Sequence, residues 1–346
     1  MQSRAIFIDR LGPPERLEER AFELPDPGPG EVHLKVLAAG VNFADLMMRI
    51  GLYGTVPPRP FSPGFEVAGQ VERCGEGVTG FAVGDRVVAM KRFGGYARDV
   101  IVPVKQIFPW PGSLSPAEAA AIPVVFLTAW VCLFRSGACR ARERLLVLGA
   151  GGGVGTAAVQ LGVSAGLTVF GTAGNEAKRD FVRDKLGATA CFNSRGDWET
   201  PLRRELSGNT IDIALDPVGG EATAACRRLL GPLGRLVVYG LSEAAPGKRK
   251  NWLRAAWAWL RTPRFHPIDL IQPNIGISGV HLLHLGANEG VLRDGYQEML
   301  PGFCNGDLFP VLDRTFSLSA AGAAAAHHYL HDRKNLGKVV LIRDEE

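Results

Sequence analysis

The chain has 346 residues, 46% of them hydrophobic, and 39 Lys and Arg against 35 Asp and Glu give a formal net charge of +4. That apolar content excludes a disordered chain, and a prior of about 150 residues per domain points to two domains. A nearly balanced charge supplies no general field for nucleic acid, and none is expected as a partner.

The six cysteines (Cys74, Cys132, Cys139, Cys191, Cys226, Cys304) include no Cys-x-x-Cys pair, which argues against a disulfide scaffold and against a structural zinc lobe. The opening MQSRAIFIDR has no apolar h-region, and no uncharged apolar run of about 18 residues follows, so a cytoplasmic protein without a membrane span is expected. Glycine is the outlier, with 43 residues, about an eighth of the chain against an average of about 7%.

In chain order, residues 1 to about 120 are rich in Gly and Pro and read as short strands, among them 31–36, 67–71 and 85–89, separated by turn signals such as Asp26-Pro27-Gly28-Pro29-Gly30. The spacing predicts a barrel-like β unit. Ser115-Pro116-Ala117-Glu118 can cap a helix, and beyond it apolar strands at 145–148, 168–171, 190–193, 211–216 and 235–239 alternate with helices at 154–165, 176–186, 197–206 and 221–230. Repeated β-α units of this length imply a doubly wound parallel sheet, so the expected class is α/β. The Ala-rich run 320–326 reads as a helix, and the last strand, 337–342, is expected to return to the first domain.

The sharpest motif joins strand 145–148 to a turn with five glycines in seven positions, Gly149-Ala150-Gly151-Gly152-Gly153-Val154-Gly155. A dinucleotide pyrophosphate needs backbone N–H groups at a helix N-terminus and a chain without obstructing Cβ atoms, so Gly149, Gly152, Gly153, Val154 and Gly155 are candidate cofactor contacts. The end of the next strand decides between NAD and NADP, because a carboxylate there would bind a ribose 2′-hydroxyl. Thr172-Ala173-Gly174-Asn175 holds none, and Lys178 and Arg179 follow; with Glu176 as the one contrary signal, NADP(H) is the expected cofactor, with Thr172 and Lys178 beside it.

These motifs carry a resemblance over nearly the whole length. Ala38-Ala39-Gly40-Val41-Asn42-Phe43-Ala44-Asp45, Gly51-Leu52-Tyr53, Pro63-Gly64-Phe65-Glu66-Val67-Ala68-Gly69, Gly84-Asp85-Arg86-Val87, Leu127-Thr128-Ala129, Asp216-x-Val218-Gly219-Gly220 and Gly337-Lys338-Val339-Val340 resemble, in order and spacing, the medium-chain dehydrogenase/reductase superfamily. Within it the chain is similar to the zinc-free, zeta-crystallin-like quinone oxidoreductase group, nearest its vesicle amine transport protein branch. The resemblance implies a GroES-like catalytic domain, 1–123 with 288–346, and a Rossmann NADP-binding domain, 124–287, carrying an insert at 242–266.

The resemblance also implies an NADPH-dependent reductase of quinones or other α,β-unsaturated carbonyls, working without metal. Zinc-dependent relatives carry Cys where Asn42 stands and His where Phe65 stands, and neither residue here is a plausible zinc ligand. His327 with His331, and His281 with His284, lack a third ligand. The expected catalytic residues are Tyr53, as phenol donor or aromatic wall, and Asn42, as amide donor or structural turn. Thr128, Gly240 and Asn335 are expected at the cofactor, and Val125-Phe126, where relatives often carry Asn-Tyr, suggests an apolar substrate wall. Between 248 and 264 lie Lys248, Arg249, Lys250, Arg254, Arg261 and Arg264 with no acid, interleaved with Trp252, Trp257 and Trp259. Such a helix can be a lid, a packed element or a peripheral membrane contact. The alternative function is accordingly a membrane-associated NADP-binding protein with little turnover. The stretch 275–280 is expected to be an edge strand that pairs across a homodimer.

Overall fold

The computed structural model describes residues 1–54, 56–244, 256–257 and 260–344. These divide into two compact units, one of 1–124 with 285–344, the other of 125–244, 256–257 and 260–284.

In the first unit, β1 (Gln2–Ile8) and β2 (Leu17–Glu23) form an antiparallel pair with Gln2 opposite Glu23. A larger sheet is organised on β3 (Glu31–Val41), whose Val32, Leu34, Val36 and Ala38 are fully buried at the alternation expected of a strand facing a core. One edge of β3 pairs with β4 (Glu66–Cys74), followed outward by β5 (Arg86–Met90). Its other edge pairs first with β6 (Asp99–Pro103), and β7 (Ile107–Pro109) lies beyond β5. At the end of β3 the chain turns into α1 (Phe43–Ile50), which ends at Gly51 in the left-handed conformation, φ 75°. Helix α2 (Pro116–Ala120) starts on the predicted cap: the Ser115 N–H donates to the Glu118 carboxylate at 2.8 Å.

The second unit begins within helix α3 (Pro123–Trp130), at Val125. There β8 (Arg144–Val147), α4 (Gly153–Ser164), β9 (Thr168–Ala173), α5 (Glu176–Asp180), β10 (Ala190–Asn193), α6 (Glu199–Leu206), β11 (Ile211–Asp216), α7 (Glu221–Leu229), β12 (Leu230–Val238), α8 (Pro267–Ile271) and β13 (Gly276–Gly279) follow one another. All six strands are parallel, in the order β10-β9-β8-β11-β12-β13, so the winding reverses between β8 and β11, as in a Rossmann domain. Leu146, Phe170, Ala214 and Leu236 from neighbouring strands pack with Leu202, Leu206, Cys226 and Leu229 from α6 and α7. Burial on both faces explains why these strands read as continuous apolar runs.

The tail comprises α9 (Glu289–Asn305), β14 (Leu312–Ser317), α10 (Ala320–His331) and β15 (Lys338–Ile342). Strand β15 pairs antiparallel with the second half of β3, Val339 opposite Val41, and parallel with β14. The strand expected at 235–239 instead begins at Leu230, because a register shift between Ile211 and Ile213 accommodates Gly231-Pro232-Leu233-Gly234, with Leu233 at φ 63°. The helix expected at 176–186 is shorter, continuing past Asp180 as a wider turn over Phe181–Lys185.

Candidate functional site

In the second unit the glycine turn sits at the carboxyl end of β8, the strand at which the sheet order reverses. Gly149 turns the chain at φ 65°, a conformation that glycine adopts without strain. Gly155 brings helix and turn together: a Cβ there would overlap the Gly149 carbonyl oxygen and lie 2.7 Å from the Ala150 Cα. Helix α4 begins at Gly153, so the amides of Gly153, Val154 and Gly155 are first-turn donors that the helix itself leaves unpaired. Unpaired amides at a helix start are suited to meet an anion.

Thr172 supports the glycine turn. Its side chain is buried, and its hydroxyl accepts the Gly149 N–H at 3.2 Å while its carbonyl accepts the Ala150 N–H at 2.8 Å, so it holds the turn from beneath. Gly240 is required by its own fold: a Cβ would lie 2.9 Å from the Pro217 carbonyl oxygen. Lys178 reaches the turn, with its Cβ and Cδ each 3.3 Å from where a Gly151 Cβ would be. Thr128 is buried on α3. Val125 and Phe126 are buried, 5% and 1% exposed.

In the first unit the Asn42 side chain is engaged within the fold, as the structural-turn alternative has it. Its Oδ1 accepts from the Lys338 ammonium at 2.6 Å and its Nδ2 donates to Glu66 at 2.9 Å, while its backbone N–H donates to Asp45 at 2.8 Å. Asn42 therefore caps α1 and ties β3, β4 and β15 together. Asn335 donates its amide N–H to the Gly337 carbonyl at 2.8 Å and so serves its own turn. Tyr53 is half-buried, with its ring 6.0 Å from Phe65, which in turn lies 6.3 Å from Phe93. Burial, reinforced by the Asp45 charge and opposed by Arg92, pushes the Tyr53 phenol up to about 12, so at neutral pH it carries its proton and can donate it.

A polar network that no sequence motif announced lies behind Asn42. Arg49, fully buried, donates through Nε to His327 Nδ1 at 3.1 Å, through Nη2 to His331 Nε2 at 2.8 Å and through Nη1 to the Gly12 carbonyl. That contact assigns the His327 proton to Nε2, which faces the Tyr96 hydroxyl at 3.2 Å, and Tyr96 donates to Asp45 at 3.2 Å. His327 and His331 thus both partner a buried arginine.

Burial pushes Asp45 up to about 7, against its hydrogen bonds from Asn42, Gly64 and Tyr96, and drives His327 well below its usual value. A raised acid contributes stability that is fully present below its unfolded value, 3.8, and is lost as pH rises through about 7. The depressed histidine contributes stability present above 6.5 and lost as pH falls through its folded value. From pH 6.5 to 7.5 the Asp45 contribution falls, while that of Lys91, pushed down to about 8 by burial, changes mainly above that range. The urea midpoint should fall across that window, and Asp45→Asn should flatten the slope; an unchanged slope would refute the assignment.

His281 and His284 stack with centroids 3.9 Å apart. Of the basic aromatic run at 248–264, residues 248–255, 258 and 259, including Lys248, Arg249, Lys250, Trp252, Arg254 and Trp259, lie outside the described residues. Trp257 and Leu260 are 53% and 69% exposed, and the Arg261 guanidinium lies 4.5 Å from the Trp257 ring centroid. Among the described residues no helix is long and apolar enough to cross a membrane.

Two family models match the chain, the alcohol dehydrogenase GroES-like domain over residues 28–112 and the zinc-binding dehydrogenase over 153–280. The second name raises a metal, and the residues do not fit one: the Lys338 ammonium already lies 2.6 Å from Glu66 and from Asn42, and Phe65 offers no ligand atom. Among the described residues no three His, Cys, Asp or Glu gather as a metal site. The synaptic vesicle membrane protein VAT-1 homolog of Rattus norvegicus is 36% identical over 332 residues, 96% of this chain and 81% of that protein. The quinone oxidoreductase of Rattus norvegicus is 30% identical over 347 residues, 98% of this chain and 97% of that one. The crystal structure of Escherichia coli quinone oxidoreductase complexed with NADPH matches with a TM-score of 0.84 and 26% identity, covering 98% of this chain and 99% of that one. With a GroES-like unit, a Rossmann unit and these relatives, the chain belongs to the medium-chain dehydrogenase/reductase superfamily of oxidoreductases, in its quinone oxidoreductase group near the VAT-1 homologues.

Proposed function

We propose that this chain is an NADPH-dependent, zinc-independent oxidoreductase that transfers hydride to quinones or other α,β-unsaturated carbonyl compounds. The observation that carries the reading is the glycine turn at the sheet's reversal, with Gly155 packed against Gly149 and Lys178 laid over Gly151. Gly149, Gly152, Gly153, Val154 and Gly155 would hold the pyrophosphate through backbone N–H groups, and Lys178 the 2′-phosphate.

Bound NADPH supplies the hydride, and the electron pair it brings leaves negative charge on the acceptor's carbonyl oxygen. Tyr53, protonated at neutral pH, donates its phenolic hydrogen to that oxygen. Phe65 and Phe93 give the ring an apolar backing suited to a quinone. Asn42 acts as a positioning residue: it fixes the end of β3 and the start of α1, the helix that leads to Tyr53. Strand β13 stands at the outer edge of the parallel sheet, and we place a homodimer contact along 275–280.

Steady-state NADPH oxidation over a panel of small quinones and enones tests the reading. Turnover is expected with NADPH well above NADH, and Tyr53→Phe should lower kcat for an enone by at least about tenfold while NADPH affinity is unchanged. An enzyme that binds NADPH yet turns over no acceptor would sink the proposal, and full activity in Tyr53→Phe would reduce that side chain to a wall.

A further inference from the structure

We infer that Arg195 is a second ligand of the cofactor's 2′-phosphate and sets the preference for NADPH over NADH. The inference rests on the cofactor assignment proposed above. Its basis is the placement of one exposed side chain that the order of the strands brings to the site. Strand β10 lies parallel to β9 with Asn193 beside Ala173, so the turn after β10 runs next to the turn after β9. The Ser194 N–H donates to the Ala173 carbonyl at 3.0 Å, and the Arg195 N–H to the Asn193 side chain at 3.1 Å. The start of the Arg195 side chain is thereby fixed.

From there the guanidinium lies over Gly174: a Cβ on that glycine would be 3.3 Å from Nε and 3.8 Å from Cζ. Gly174 is at the tip of β9, the place where a carboxylate would read a ribose 2′-hydroxyl, and residues 172–175 contain none. The glycine turn is bonded to the end of β9 through Thr172, and Lys178 lies over Gly151 of that turn. Two cations from different elements thus stand near the end of β9. Among the described residues no carboxylate pairs with the Arg195 guanidinium, although neighbouring exposed arginines such as Arg183 and Arg203 are each paired with acids. A planar fork with five N–H donors matches the oxygens of a phosphate monoester, which an ammonium meets only as a point charge.

The test is equilibrium binding, read by calorimetry or by quenching of tryptophan fluorescence, of NADPH, NADH, 2′,5′-ADP and 5′-AMP to the wild-type chain and to Arg195→Gln and Arg195→Lys. Arg195→Gln is expected to weaken NADPH and 2′,5′-ADP by about tenfold or more, and to leave NADH and 5′-AMP within about twofold. Arg195→Lys should fall between, because it keeps the charge and loses the fork. Equal loss for all four probes would overturn the proposal in favour of stacking on the adenine, and no loss for any would remove Arg195 from the site. Wild-type chain that binds NADPH no more tightly than NADH would instead overturn the cofactor assignment, and the role of Arg195 with it. Arg195 is exposed on a turn, so these outcomes are not confounded by loss of the fold.

Discussion

Replacing Lys338 with methionine is expected to cost about 3–5 kcal/mol of folding free energy, measured as a lower urea midpoint. The ammonium is 3% exposed and its hydrogens go to the Val41 carbonyl at 3.0 Å, to Asn42 Oδ1 at 2.6 Å and to Glu66 at 2.6 Å. Glu66, fully buried, accepts in addition from Asn42 at 2.9 Å and from the Val124 N–H at 2.7 Å. Removing either ion from water costs several kcal/mol, an expense offset here because every polar atom of both groups meets a partner. Methionine restores most of the aliphatic stem but leaves a carboxylate in the interior with no counter-charge. The paired variant Lys338→Met with Glu66→Gln removes both charges, so it should recover most of the loss. If the single variant loses less than about 1 kcal/mol, or the pair is no better than the single, packing rather than charge holds this end of β15 to β3 and β4.

The same residues show what sequence could and could not disclose. In the second unit the strand at 211–216 is legible to the residue, because a strand buried on both faces is an apolar run bounded by turn signals, and both signals are local. Gly40 reads as one more glycine of the first domain, yet a Cβ there would overlap the Glu66 carboxylate and come within 2.7 Å of the Ala120 carbonyl; its reason lies in tertiary contacts. Nothing near Asn42 in sequence claims its side-chain amide; the N–H goes to Glu66, 24 positions away, and the oxygen accepts from Lys338, 296 positions away. Strand β14, with its Asp-Arg-Thr centre exposed, gave no alternating signal and is specified by pairing with β15. Arg195 sits just past the strand at 190–193, and the signal that finds it is the strand order of a doubly wound sheet, which sets β10 beside β9 and their turns side by side.

A single methyl group on the glycine turn is expected to separate cofactor binding from the rest of the fold. Gly155→Ala should lower stability by about 1–3 kcal/mol and weaken NADPH by at least about tenfold, read by urea unfolding and equilibrium titration on the same preparation. The added Cβ would overlap the Gly149 carbonyl oxygen and lie 2.7 and 2.9 Å from the Ala150 Cα and carbonyl carbon, all backbone atoms that cannot rotate away. Relief requires the start of α4 to move off the turn, but that turn is anchored from below by two bonds to Thr172, at 3.2 and 2.8 Å. The displacement must therefore fall on the helix end that supplies the Gly153, Val154 and Gly155 amides, the groups proposed to hold the pyrophosphate. Misplacing oriented donors by a fraction of an ångström weakens each charge-assisted bond, and several are lost together. Gly290→Ala is the control: no atom lies within 4 Å of its Cβ, and in the first turn of α9 alanine should be neutral or slightly stabilising with NADPH affinity unchanged. Should Gly155→Ala bind NADPH as tightly as wild type, the turn would not be the pyrophosphate site, and the cofactor would have to be held elsewhere.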